Sequence, residues 1–215
     1  MLRHVVSNEL FTILIVIGLI IVAIAKLAAP KRFDDFVLVI GNDKYLKIYS
    51  RDQKFLDKFD ALMFSNFVLS VSVFCFIVYQ QVTNSNSVSA NTLFKLTVSI
   101  GVFILIKVLV ERLIGSLFEI DKLIDQYIFQ KISFKNYLGM LLLPINALFI
   151  YSFKPSLSII YAFIILFFII NIIGLISTFK TNQSIIKDNL FYFILYLCAL
   201  EIAPYIILYK VFIAK

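Results

Sequence analysis

Tryptophan is absent from the 215 residues, histidine occurs once and cysteine twice. The single histidine, His4, lies at the start of the chain, which excludes a histidine-based metal site or a Ser/His triad within one chain. Cys75 and Cys198 fall inside apolar segments at different depths, so a disulfide between them is not expected, and neither has a metal-type spacing. Glycine numbers only six, and the chain has no glycine-rich phosphate loop, no HExxH and no GxSxG. Neither catalysis nor a cofactor is therefore expected. Charged residues are scarce at 15%, and no basic stretch has the density or aromatic interleaving of a nucleic-acid platform. The net charge of +7 reads instead as a topology signal and an attraction to anionic lipid.

What the chain has in abundance is apolar mass. Hydrophobic residues make up 61%, Phe alone numbers 23, and the mean hydropathy is +0.97, well outside the soluble globular range. The apolar runs predict an all-α polytopic membrane protein forming one integral domain with six transmembrane helices, at about 10–25, 61–82, 92–115, 137–152, 156–177 and 190–210. The first run could also be read as a signal peptide with small residues at Ala23 and Ala25, but Glu9 sits against it. The fourth run is short and contains Pro144 and Asn146, which predicts a kink or a crossing without tilt. Three residues separate it from the fifth, so the two form an antiparallel hairpin. No internal repeat is visible.

Two segments between the spans are charged and amphipathic. In residues 26–60, Phe33, Phe36, Val37 and Ile40 recur at helical spacing, and Leu46 and Tyr49 do so beyond Gly41-Asn42. Two short helices lying in the interface, apolar side down, are expected, with a strand hairpin turning at Gly41-Asn42 as the alternative. In residues 116–136, Leu117, Ile120, Leu123, Ile124, Tyr127 and Ile128 keep helical spacing and predict a cytoplasmic amphipathic helix.

Charge sets the orientation. Lys and Arg number 14 in segments 26–60, 112–136 and 178–189, against four in the N-terminus, the two other loops and the C-terminus. The positive-inside rule places the first set in the cytoplasm and both termini on the non-cytoplasmic side. Tyr79, Tyr151, Tyr205 and Tyr209 then form an outer aromatic belt, with Lys95 and Lys210 snorkelling at the same face.

The last span, LFYFILYLCALEIAPYIILYK, carries Glu201 near its middle and Pro204 one turn later. A carboxylate at that depth costs a few kcal/mol and needs a partner, while Pro204 leaves the Leu200 carbonyl without its usual donor. On the expected topology Glu201 lies roughly 16 Å from the inner end of its helix and Lys107 roughly 10 Å from the inner end of the third, so the two side chains lean towards one level. An intramembrane network of Glu201, Lys107, Glu111 and Arg112 is the candidate site. The competing reading is that Lys107 and Arg112 snorkel, Glu111 neutralises one of them, and Glu201 hydrogen-bonds a neighbouring helix. The amides Asn66, Asn146 and Asn171 are expected to bond between helices.

Tyr196, Leu197, Cys198, Leu200, Glu201, Ile202, Pro204 and Lys210 fit a YLCxLEIxPxxxxxK pattern, and NDKYLKIYSRDQKF, residues 42–55, accompanies it. On these motifs the chain resembles an uncharacterised bacterial inner-membrane family, a domain of unknown function. The resemblance implies a bacterial inner-membrane location and a role for Glu201. The expected function is that of a non-enzymatic subunit or assembly factor of a larger envelope complex, such as secretion or cell-surface machinery. Its partners would be the lipid bilayer and other membrane or envelope proteins, and no nucleic acid. The alternative is a small transporter or proton- or ion-conducting subunit that uses Glu201.

Overall fold

The computed structural model describes residues 9–41, 44–50, 57–83, 90–118, 120–152 and 155–181. Among them every regular element is an α-helix: α1 (Glu9–Ala28), α2 (Pro30–Val37), α3 (Lys44–Tyr49), α4 (Lys58–Thr83), α5 (Ala90–Leu117), α6 (Asp121–Tyr151) and α7 (Leu157–Thr181). Five of these, α1, α4, α5, α6 and α7, are long and apolar enough to cross a membrane. The chain is therefore a membrane protein, all-helical among the described residues. The expected sixth span, 190–210, lies outside the described residues, and with it Glu201, Pro204 and Cys198.

The direction of each helix follows from its contacts. Gly139 of α6 lies against the backbone of Phe67, the Asn146 amide donates to the Ser70 carbonyl at 2.8 Å, and the Phe149 and Phe74 rings are 6.4 Å apart. Positions thus advance together, and α4 and α6 run parallel as the central pair, with about half of each apolar window buried. α1 is antiparallel to them: Phe11 meets Phe76 at 5.7 Å and Gly18 faces Asn66 and Leu143. α5 descends against α6, bringing Gly115 to Ile124, and α7 does the same, bringing Phe163 to Phe149 and Gly174 to Phe134. Close approach needs small residues at the crossings. A Cβ on Gly139 would stand 2.4 Å from the Phe67 Cα.

α1 shows why the periphery remains open. Its buried residues Phe11, Ile15, Gly18 and Ala25 form one stripe at steps of three, four and seven, and Ile13, Leu19 and Ile20 on its other flank are more than half exposed. Glu9 in the first turn and Lys26 in the last complement the helix dipole. α5 and α7 bury still less of themselves, and their outer faces suit lipid or other apolar helices.

Two expectations about local structure need correction. The fourth span and the amphipathic helix before it are one continuous helix, α6, 31 residues long, which also continues through Pro144. No proline or glycine interrupts the chain between Asp121 and Leu138, and the first turns of α6 are held by packing of Ile124, Tyr127 and Ile128 beside α5. At about 46 Å such a helix is longer than the hydrocarbon layer, so its first turns stand in the interface. The join to α5 is closed by the Ile120 amide bonding the Gly115 carbonyl at 3.0 Å, a π-turn.

The described residues between α1 and α4 form two short helices and no strand hairpin. Pro30 opens α2 at a position where its missing N–H costs nothing. Phe33, Phe36, Tyr45 and Leu46, however, do not turn towards lipid. They pack with Val39 onto Ala25, Phe59, Met63, Phe129 and Phe134 at the helix ends. The aromatic edges explain the choice: Phe36 has ring contacts with Tyr45, Phe59 and Tyr137 at 5.4 to 6.0 Å.

Candidate functional site

One end of the bundle gathers two clusters of paired charges. The first joins α5 to α6. Glu111 is fully buried, accepts from Lys131 Nζ at 2.5 Å, and has Lys107 one turn away on its own helix at 3.9 Å. Arg112, the next residue, turns to Asp125 and forms a fork to its two carboxylate oxygens at 2.8 and 3.3 Å. Successive residues on α5 therefore bind different positions of α6, because a 100° step separates their faces. Lys131 also stands 5.6 Å from the centre of the Tyr127 ring.

The second cluster centres on Arg32 of α2. Its guanidinium pairs with Asp57 and with Asp60, the latter at 2.7 Å, and lies 4.9 Å from the ring centres of both Tyr49 and Phe59. Tyr45, 5.9 Å from the same cation, stacks on Phe129. Burial pushes the Tyr45 phenol well above the usual tyrosine range, and the negative charge of Asp60 adds to the shift. The positive charge of Arg32 opposes it. The cluster fixes α2 and α3 to the start of α4. Nearby, Asp35 accepts from Lys44 at 3.1 Å.

Between the clusters and the far end of the bundle the buried polar groups are neutral: Asn66, Ser70 and Ser72 on α4, and Gln130, Ser133, Asn136 and Asn146 on α6. Asn146 bonds across to α4 as expected of an intramembrane amide, whereas Asn171 bonds the Phe167 carbonyl of its own helix at 2.8 Å. Ser72 does the same with Val68. At the opposite end Thr12 and Tyr151 bond each other at 2.5 Å and tie α1 to α6, while the Tyr79 ring is half exposed.

Of the residues singled out from sequence, Lys107 and Glu111 stand together and Arg112 belongs to a separate pair. The Lys107–Glu201 pairing lies outside the described residues. Lys131 and Asp125 were missed, since each seemed to belong to the solvated side of an interfacial helix, and only the merging of that helix with the fourth span brings them to α5. Arg32, Asp57 and Asp60 were missed because 25 or more residues separate the guanidinium from its acids. The signal was the density of Phe, Tyr and paired charges in 26–60. No group of three His, Cys, Asp or Glu capable of holding a metal occurs among the described residues.

These pairs can cross-link helices and set their register. No curated protein and no solved structure matches the chain. A family model described as a domain of unknown function matches residues 11–212, nearly the whole length, and the chain accordingly belongs to that family, DUF4271.

Proposed function

We propose that this protein is a non-enzymatic membrane subunit or assembly factor of a larger complex in the envelope of a bacterium, with secretion or cell-surface machinery as the class of complex. In this reading it spans the inner membrane six times, residues 190–210 supplying the last span. Segments 26–60 and 116–136 face the cytoplasm, and both termini are outside. The observation that carries the reading is the disposition of charge: Glu111 with Lys131 and Arg112 with Asp125 link α5 to α6 at one end of the bundle, with Lys107 beside Glu111 on α5. From Gly139 to Tyr151 α6 carries no charged residue, and neither does α7 from Leu157 to Phe179. That arrangement suits a rigid body whose open flanks on α5 and α7 adjoin other membrane components.

A second reading, a small transporter or ion-conducting subunit using Glu201, draws on one observation. Side-chain atoms of Asn66, Ser70, Gln130, Ser133, Asn136 and Asn146 are buried without a hydrogen-bond partner among the described residues, and buried polar groups normally find one. Glu201→Gln separates the two readings. A subunit should lose assembly or protein level, whereas a transporter should assemble normally and lose flux in proteoliposomes. Normal level with normal function would count against both.

A further inference from the structure

α1 has 20 residues and is about 30 Å long, the thickness of the hydrocarbon layer. Its end at Ala28 is therefore level with the headgroups, and α2 begins two residues later at Pro30. The two short helices cannot leave that level, because Phe33, Phe36, Tyr45 and Leu46 are packed on the ends of α4 and α6. The remainder of this segment is exposed and of mixed character. Leu27 is 82% exposed, Leu38 60%, Ile48 46% and Ile40 40%, while Lys31 and Lys47 are exposed beside them. Lys26 closes α1 next to Leu27, with its ammonium 5.8 Å from the Phe33 ring centre.

The acids of the segment do not cancel these lysines. Asp35 is engaged by Lys44, and Arg32 is held by Asp57 and Asp60, which among the described residues from Lys26 to Tyr49 leaves exposed Asp34 against Lys26, Lys31 and Lys47, and Asp43, outside the described residues, still leaves the lysines in excess. Exposed aliphatics alternating with ammonium groups at headgroup depth match one environment in particular. The aliphatic side chains enter the acyl boundary and the lysine stems snorkel to phosphate. We propose that α2, α3 and residues 38–41 form a docking surface for anionic phospholipid of the leaflet in which they lie. The proposal rests on the chain's membrane location and not on its being a subunit of a complex.

The chain has no tryptophan, so Leu38→Trp in the full-length protein supplies a single fluorophore. In nanodiscs of phosphatidylcholine with phosphatidylglycerol, its emission should be blue-shifted and quenched by lipids brominated near the headgroup. Ile40→Trp serves if the first variant does not fold. In the parent protein released from mixed vesicles into mild detergent, mass spectrometry should find phosphatidylglycerol retained over phosphatidylcholine. Replacing Lys26, Lys31 and Lys47 by Gln should weaken that preference by about fivefold per lysine at low salt. Unquenched, water-like emission would overturn the proposal and leave the surface to a protein partner, and equal retention of both lipids by parent and variant would overturn it too.

Discussion

Replacing Glu111 by Gln keeps the side chain's shape and removes the charge that holds two lysines. Glu111 is wholly buried, and its link to Lys131 at 2.5 Å is the short one, whereas Lys107 approaches only to 3.9 Å. A pair spaced four apart on a helix contributes about 0.3–0.5 kcal/mol when exposed, and removing one member of a buried pair costs about 3–5 kcal/mol. Most of the loss should thus come from stranding Lys131, at a stability cost for Glu111→Gln of about 3 kcal/mol. The assay is reversible unfolding in mixed micelles of mild detergent and dodecyl sulfate, run as a double-mutant cycle with Lys131→Gln. The double variant should be more stable than the sum of the single losses predicts, with a coupling of about 2 kcal/mol. Additivity within about 0.5 kcal/mol would refute the claim that this pair locks α5 to α6.

Arg32→Lys keeps the charge but loses the fork to Asp57 and Asp60 and the flat contacts with Tyr49 and Phe59. It should cost about 2 kcal/mol and speed amide exchange in α2 and α3 while sparing α6; unchanged exchange would deny the cluster its anchoring role. Tyr45 is held neutral by burial, so its contribution to stability is fully present below the ordinary phenol pKa of about 10 and is lost as pH rises beyond it. Tyr45→Phe should therefore move alkaline unfolding to higher pH, read as the midpoint of near-ultraviolet dichroism, and an unmoved midpoint would contradict the assignment. Gly139→Ala forces a methyl onto the Phe67 backbone and should destabilise by about 1–3 kcal/mol or more, seen as loss of monodisperse protein in size-exclusion chromatography. Gly41→Ala meets its first neighbour only at 4.0 Å and is the matched control.

The spanning helices were legible because lipid demands long apolar runs, and α1, α4, α5 and α7 start and end within a few residues of where hydropathy places them. α6 was not, since hydropathy sees Lys131 and Lys135 as an interruption, whereas backbone hydrogen bonding continues through them. Periodicity found the apolar faces of α2 and α3 but could not say what they face. The aromatic rings at Phe59 and Phe129, distant in sequence, decide that in favour of protein. Within the candidate site the Lys107–Glu111 spacing is local and can be read directly. Glu111 to Lys131, Arg112 to Asp125 and Arg32 to Asp60 depend on how helices pack, which single-sequence spacing does not encode.

The proposed function requires that the protein be part of a larger complex. The direct measurement is purification of the intact protein at native level in mild detergent, with mass spectrometry of what stays bound and determination of particle size. A stoichiometric membrane or envelope protein and a particle larger than the 24.7 kDa chain in its micelle are expected. A lone monomer or a homo-oligomer would contradict it and place transport through Glu201 first.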